Sequence, residues 1–234
     1  MQYRDPYIEL CIEGTSPVLR GLSQAEKELL DRHHHFAVFR KGDTISGIDS
    51  KPKGPVCLAA GKAKLFRVGA GNREQIIKML RPLDFISYEP LFSDNISPFS
   101  AVAIEESAAV VFEKNTLSRI LKQNSELAVR FMRAISDDLL FSNSRLVSLT
   151  QKHVRGRLAE SVLLLSDTYG VEADGKTLRI NISREDLAHL SNMTTSNAIR
   201  TLSGLVNEKI LDTEGRKIRI LNFDKLEEIS ESGQ

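Results

Sequence analysis

The stretch ISREDLAHLSNMTTSNAIRTL, residues 182–202, holds two short amphipathic helical patterns around a polar break that contains no glycine. Ser183, with Asp186 three places on, matches a capping box and starts a first helix whose Leu187 and Leu190 face inward. Ser191-Asn192-Met193 interrupts the pattern, and Thr194 or Thr195 caps its resumption. The second helix sends Ala198, Leu202, Leu205 and Val206 toward a core and presents Ser196, Asn197, Arg200 and Ser203 on its other face. Such outward positions near a helix N-terminus are where a recognition helix meets base edges in the major groove. Arginine can donate a bidentate pair to guanine O6 and N7, and asparagine can pair with adenine N6 and N7. Serine and threonine hydroxyls, backed by helix N-termini, suit phosphate oxygens. The same stretch also reads as two helices that only fill a core, since capping serines and exposed arginines are common, so its surroundings decide.

Downstream, residues 209–221 read as a strand, a turn at Glu214-Gly215 and a second strand, with charged and apolar residues alternating in KIRIL. Arg216, Lys217 and Arg219 lie just past that turn, where a hairpin can reach a flanking phosphate. Upstream, residues 152–167 form an amphipathic helix with Val154, Leu158, Val162 and Leu165 on one face, then a loop at Asp174-Gly175 and a strand-like TLRINI. Helix, strand, two short helices and a hairpin is the order of a winged helix-turn-helix. Between Gln151 and Asn222 eleven basic residues stand against nine acidic ones, and Asp224, Glu227, Glu228 and Glu231 then cancel the surplus. Affinity for double-stranded DNA would rest on a focused basic face and on doubling in a dimer.

The dimer is legible further upstream. With Ser125 as a cap, a long helix runs to Leu149 and carries Ala128, Met132, Ile135, Leu139, Ser142, Leu146 and Leu149 at alternating spacings of four and three. That is an a/d seam sustained over three heptads, and it predicts a parallel homodimer. Ser142 is a polar interruption in the seam, available to set register or to touch something bound at the axis. The other reading packs this helix onto its own domain, a task that Phe131, Leu140 and Phe141, off the seam, can perform.

Residues 36–112 have another character. Gly42, Gly47, Gly54, Gly61, Gly69 and Gly71 punctuate the runs PVCLAA, AKLFRV, EQIIKML and SAVAIEESAAVVFE. Short period-2 runs between turn residues predict antiparallel strands folded into a sandwich or barrel. Residues 68–72 are expected to form a hairpin loop. A short helix is expected at Ser23–Asp31, and another, capped by Asn115 or Thr116, carries Leu117, Ile120 and Leu121. The expected fold is α+β, in three parts: an N-terminal domain over residues 1–124, a dimerisation helix over 125–150 and a winged helix-turn-helix over 151–234.

Bulk properties narrow the function classes. The 234 residues, 41% of them hydrophobic, can bury an ordinary core, and a net charge of +1 gives no global pull toward nucleic acid or membrane. Apolar runs fall far short of the roughly 20 residues a membrane span needs. The opening MQYRDPYIEL lacks a basic-then-apolar signal pattern, so a cytoplasmic protein with no membrane partner is expected. Cys11 and Cys57 form no CxxC pair, which argues against a disulfide scaffold, a thiolate zinc site or a Cys-ligated iron–sulfur cluster, and reads as two reduced thiols.

Together the glycine-punctuated barrel, the segment LRPLDFISYEPLFSDNISPFSAVAIEES, the long helix from Ser125 and ISREDLAHLSNMTTSNAIRTLSGLVNEKILDTEGRKIRIL resemble the Crp/Fnr superfamily of transcription regulators over most of the chain. That resemblance implies a cyclic-nucleotide-binding-like β-roll acting as an effector-sensing domain, a central dimer helix, and a C-terminal winged helix bound to pseudo-palindromic promoter DNA. It also implies RNA polymerase as a partner. Arg200 matches the family's base-reading arginine, Arg184 a phosphate-contacting one, and Thr194 and Asn197 further DNA-contacting positions. With Ser183, Thr195, Ser196, Arg216 and Lys217 these make up the expected DNA-binding set. Where well-known members carry a glutamate this chain has Ser196, which implies a different half-site.

The resemblance also marks an effector pocket that has changed. Where cyclic-nucleotide binders read Gly-Glu-Leu and then Arg-Ser, this chain has Ser87-Tyr88-Glu89 and Phe99-Ser100. Losing the arginine removes the charge that would hold a cyclic phosphate, so an unknown small-molecule effector other than cyclic AMP is expected. Ser142 and Asn143 fall where adenine contacts occur on the dimer helix in that subfamily. The oxygen-sensing branch needs a cysteine cluster that two cysteines cannot supply. His33-His34-His35 cannot all face one ion, because successive residues point different ways, which leaves a single haem-ligating histidine as an open alternative to no cofactor. Met79 and Tyr88 are weighed as pocket residues on the same footing. The other functional reading is a small-molecule or haem sensor that signals through a protein partner. No Ser/His/Asp, paired-carboxylate or phosphate-loop arrangement stands out, so no enzyme is expected.

Overall fold

The computed structural model of the chain describes residues 6–13, 16–47, 54–93 and 98–232. Its elements run α1 (Pro6–Ile12), α2 (Gln24–Arg32), β1 (His34–Phe39), β2 (Thr44–Ser46), β3 (Val56–Ala60), β4 (Ala63–Val68), β5 (Glu74–Leu80), β6 (Phe85–Ser87) and α3 (Glu89–Phe92). There follow β7 (Ser100–Ala103), β8 (Ser107–Phe112), α4 (Lys114–Gln123), α5 (Ser125–Gln151), α6 (Val154–Tyr169), α7 (Arg184–Leu190), α8 (Thr195–Asn207), β9 (Leu211–Glu214), β10 (Lys217–Ile220) and α9 (Phe223–Ser232). The chain divides into two compact units. The first holds the residues up to Arg67 with Lys78–Leu140, and the second holds Val68–Ile77 with Phe141–Gln234.

In the N-terminal half the expected strands form two four-stranded antiparallel sheets, ordered β1-β8-β3-β6 and β2-β7-β4-β5. Alternation along β3 shows why both of its faces are buried. Val56 and Leu58 join Ala63, Leu80, Ile86, Ala101 and Ala109 in one core cluster, while Cys57 and Ala59 join α1, α2, α4 and α5 residues in another. The β3–β4 turn at Gly61 has φ +81°, and a Cβ there would strike the Ser107 hydroxyl and the Glu106 carbonyl. Between β4 and β5 the expected hairpin loop is a single 3-10 turn at Ala70–Asn72 with Gly71 at φ +68°. The second core cluster also ties helix to sheet through aromatic rings. Phe85 stacks on Tyr88 at 5.3 Å and meets Phe131 of α5 edge-on at 5.4 Å.

Helix starts follow local chemistry, with two adjustments to the expectations. α2 begins as predicted, with both halves of a Ser23–Glu26 capping box in place. The cap of α5 is Asn124, whose Oδ1 accepts the Leu127 amide at 2.9 Å, and Ser125 is its first residue. α4 starts at Lys114 after Glu113, and Thr116 donates its hydroxyl to the Glu113 carboxylate at 2.7 Å, so neither Asn115 nor Thr116 is the cap. Of the residues expected to hold α5 to its own domain, Phe131 is fully buried, whereas Leu140 is 62% exposed.

The second unit contains the helix, two-helix and hairpin order expected from residue 151 onward, with α6 packed against α7, α8 and α9. Leu158, Val162 and Leu165 of α6 are buried, but Val154 is not, because the helix begins there with His153 extended before it. TLRINI makes no strand. It forms only the isolated bridges Val171↔Leu178 and Thr177↔Arg219, because the Asp174 carboxylate gathers the amides of Lys176 and Thr177 into a turn that breaks any ladder. Leu178, Ile180 and Ile182 still point inward. Among the described residues no helix is long and apolar enough to cross a membrane.

Candidate nucleic-acid interface

Ser183 caps α7: its hydroxyl accepts the Asp186 amide at 2.9 Å and donates to the Asp186 carboxylate at 2.6 Å. Leu187 and Leu190 are fully buried, as their spacing requires. The break after α7 works without glycine because Asn192 takes the left-handed conformation, φ +49°. The Met193 amide reaches back to the Ala188 carbonyl at 3.0 Å, and Met193 itself is buried, which closes the helix in a Schellman-type turn. Thr194 then caps α8, its hydroxyl accepting the Asn197 amide at 3.3 Å. The amides of Thr195 and Ser196 precede the first intrahelical bond, Ala198 to Thr194, and are free to meet an anion.

Ala198, Leu202 and Leu205 pin α8 to the core, with Val206 half-buried beside them. The opposite face exposes Ser196, Arg200 and Ser203, and Asn197 lies at its edge, half-buried. Arg200 donates from Nη2 to Asn197 Oδ1 at 2.8 Å, so the two expected base readers hold one another on the surface. Ile199, 47% exposed, shares that face. An apolar residue is ordinarily given to the core, and the sequence signal that Ile199 lies elsewhere is its place outside the inward set Ala198, Leu202, Leu205 and Val206. An exposed aliphatic group there suits a thymine methyl.

The wing is β9–β10, paired from Leu211↔Ile220 to Glu214↔Lys217, and its two-residue turn is Gly215-Arg216. Arg216 therefore lies in the turn and not past it. Arg216 and Lys217 are exposed and form no ion pair with other described residues. Arg219 differs from the expectation. It lies 3.6 Å from Asp212 and 3.9 Å from Asp174, so its charge is compensated within the protein. Arg184 has a local task as well: its Nη2 donates to the Gly215 carbonyl at 2.7 Å, tying the start of α7 to the wing turn, and burial lowers its pKa.

The seam residues of α5 present an apolar stripe. Met132, Leu139 and Leu146 are 59–62% exposed and Ile135 is 37% exposed, while Ala128 and Leu149 are half-buried and Ser142 is exposed. These are large apolar groups left in water on one line of a helix.

The sensor candidates separate. Ser87, Tyr88, Glu89, Phe99 and Ser100 belong to the first unit, and Ser142 and Asn143 are exposed on the part of α5 in the second. Ser87 is buried with its hydroxyl unpartnered. Tyr88 precedes α3, packs on Phe85 and Phe131, and lines a cleft of about 310 Å³ with Lys78, Arg81, Asp84, Arg130 and Arg133. Burial first, and nearby carboxylates second, push the Tyr88 phenol well above its usual range, so it stays neutral. Met79 is buried in β5.

His33 Nδ1 lies 3.0 Å from Glu113, and His34 Nδ1 is 2.8 Å from the Asp31 carbonyl. Among the described residues no group of three His, Cys, Asp or Glu side chains could hold a metal ion. The two cysteines, solitary in sequence, meet in the core: both are fully buried and free, Sγ to Sγ 3.7 Å, and the Cys11 hydrogen bond together with burial pushes the Cys57 thiol up.

Comparison with known proteins agrees with this geometry. Residues 36–124 match the cyclic nucleotide-binding domain and residues 156–229 match the Crp-like helix-turn-helix domain. The chain is 23% identical over 211 residues to the CRP-like cAMP-activated global transcriptional regulator of Mycobacterium tuberculosis, covering 89% of this chain and 94% of that protein. It is 26% identical over 166 residues to the global nitrogen regulator of Nostoc, covering 70% of this chain and 74% of that one. The fold is similar to that of FixK2 from Bradyrhizobium japonicum, with a TM-score of 0.74 at 20% identity over 84% of this chain and 96% of that one. A β-roll and a winged helix in this order, each matched by its own domain family, show that the chain belongs to the Crp/Fnr superfamily of DNA-binding transcription regulators, a family without enzymatic activity.

Proposed function

We propose that the protein acts as a homodimer on a pseudo-palindromic promoter site, joined through the α5 seam and answering to an effector other than cyclic AMP. The observation that carries this reading is the pairing of an exposed a/d stripe on α5 with an exposed, capped reading helix α8 in the same chain. Two-fold doubling would set two α8 helices about 34 Å apart, one turn of DNA. Arg200, Asn197, Ser196 and Ile199 would then read base edges. Thr194, Thr195, Arg216 and Lys217 would hold phosphates, while Ser183, its hydroxyl engaged with Asp186, would fix the start of α7 at the backbone and Arg184 would hold the wing there.

Against cyclic AMP stand the residues at the phosphate cassette. Phe99 stands where the arginine would be, so a phosphate diester would have to enter without that compensating charge, and Glu89 adds a carboxylate to the same cassette. Effector binding in the β-roll would act by shifting populations of DNA-competent dimer, with RNA polymerase as the downstream partner.

The test is selection of bound sequences from a random duplex pool by purified protein without added effector, followed by Arg200→Ala on the enriched site. Enrichment of a palindrome is expected. The variant should lose about 1–3 kcal/mol at that site and relax preference at one base pair of each half-site. Full discrimination by the variant in a gel-shift competition would remove Arg200 from its role. Tight binding of cyclic AMP by calorimetry would overturn the effector assignment.

A further inference from the structure

The C-terminus of α7 and the turn that follows it satisfy their carbonyls in an unusual way. Leu187 O takes the Ser191 amide and hydroxyl, and Ala188 O takes the Met193 amide, as a closed helix end requires. Three of the next four accept side chains from three different elements of the second unit. His189 O accepts Gln75 Nε2 of β5 at 2.8 Å, Leu190 O accepts Arg145 Nη2 of α5 at 2.7 Å, and Asn192 O accepts Arg157 Nη1 of α6 at 2.8 Å.

Arg145 is the least exposed of these donors, at 7%. It occupies the position just before Leu146 of the seam, the g place of the heptad, where a charged residue ordinarily reaches across to a partner helix. Here the guanidinium turns into its own unit. Nη1 lies 3.6 Å from Glu160 Oε2 of α6, and the same carboxylate oxygen is 3.4 Å from Lys152 Nζ. A cation at the carbonyl end of α7 is also favoured by the helix dipole. Arg157 adds a second strut, since Nη1 is 3.3 Å from the Leu149 carbonyl at the end of α5 as well as bonded to Asn192. The last turns of α5, the start of α6 and the α7–α8 turn are thereby one hydrogen-bonded body.

We propose that Arg145, with Arg157, is a positioning residue that sets the angle between the seam and the reading helix, and so fixes the half-site spacing the protein accepts. The inference rests on the dimeric, palindrome-binding reading above. A residue beside the dimer contact that grips the helix-turn-helix by its turn converts the geometry of the seam into the separation of two α8 helices. Base preference is a property of the α8 surface and stays outside the device.

The experiment measures gel-shift affinity for a set of palindromes whose spacer is lengthened or shortened by one and two base pairs. Wild type, Arg145→Met, Arg145→Lys and Arg157→Met are compared, each first checked for a cooperative thermal transition. Wild type is expected to prefer one spacer. Loss of one hydrogen bond from a charged donor should shrink the preference of either Met variant by about tenfold or more, and leave half-site base preference unchanged. Arg145→Lys, which keeps a cationic donor, should recover part of it. Any folded variant that lacks its carbonyl bond yet keeps the wild-type spacer preference overturns the proposal. Arg157→Met, at a half-buried site, provides that folded case even where emptying the Arg145 site disrupts folding. A wild type that is monomeric by sedimentation, or indifferent to spacing, instead refutes the dimeric reading itself.

Discussion

Leu139→Ala tests the seam at one of its most exposed positions. A fully buried leucine side chain is worth about 1.5–3 kcal/mol. Leu139 keeps 60% of its surface in water within one chain, so its burial at a dimer axis would contribute about 1–2 kcal/mol per protomer and about 2–4 kcal/mol per dimer. Truncation to alanine should therefore weaken dimerisation by about 30- to 700-fold, at about 1.4 kcal/mol per decade. The folded chain should barely notice, because the side chain touches little in its own unit and no cavity forms. Sedimentation equilibrium across a range of protein concentrations reads the dimer constant directly, and thermal unfolding at high dilution reads the stability of the separate chain. Affinity for a full palindrome should fall in step with dimerisation while binding to an isolated half-site stays put. A dimer constant unchanged by Leu139→Ala, in a protein that does dimerise, would refute the seam and move the interface to another face.

Replacing both Arg216 and Lys217 by alanine removes two candidate phosphate contacts per protomer, so the slope of log affinity against log salt should fall by about four in the dimer; an unaltered slope would take the wing off the DNA. Cys11 and Cys57 are fully buried, and the Cys57 thiol is pushed up by its partner and by burial, so both should resist alkylation at pH 8 until denaturant is added, and rapid labelling of native protein would contradict the core packing. Asp174 is held down to about 2 by the Thr177 hydroxyl and by the amides of Thr177 and Lys176. Its folded value lies below the unfolded one, so the turn gains stability above the ordinary aspartate range and loses it as pH falls from there toward 2. Asp174→Ala should abolish that acid-side dependence in amide chemical shifts of residues 174–177, and a titration near 4 in wild type would refute the turn.

Much of the functional surface was readable because it is built from short-range chemistry. Ser183 and Thr194 cap because a hydroxyl accepts an amide three residues on, a contact that sequence spacing alone specifies. Leu187, Leu190, Ala198, Leu202 and Leu205 face inward by helical period. Errors gathered where a residue's partner is distant. Arg219 looked like a phosphate contact until Asp174 and Asp212 were found beside it. TLRINI had strand composition but a turn at its start and two different neighbours. Leu140 is by composition a residue that could pack α5 onto its own domain, yet its angular position on α5 leaves it in water.

The sequence by itself determined the glycine-punctuated strands, the long helix and the helix, two-helix and hairpin order that follows it, the starts of those helices to within a residue or two, the outward face of α8 and the exposed apolar stripe of α5, since period, capping and turn chemistry act over fewer than about ten residues. Tertiary structure alone decided who meets whom. The Cys11–Cys57 contact joins positions 46 residues apart. The grip of Arg145 on Leu190 spans 45, and the hold of Arg184 on the wing spans 31. An arginine in a sequence is a charge with five donors and no address; only packing, which removes water from some of those donors and leaves carbonyls waiting for them, leaves one exposed on the outer face of α8 and makes another a strut.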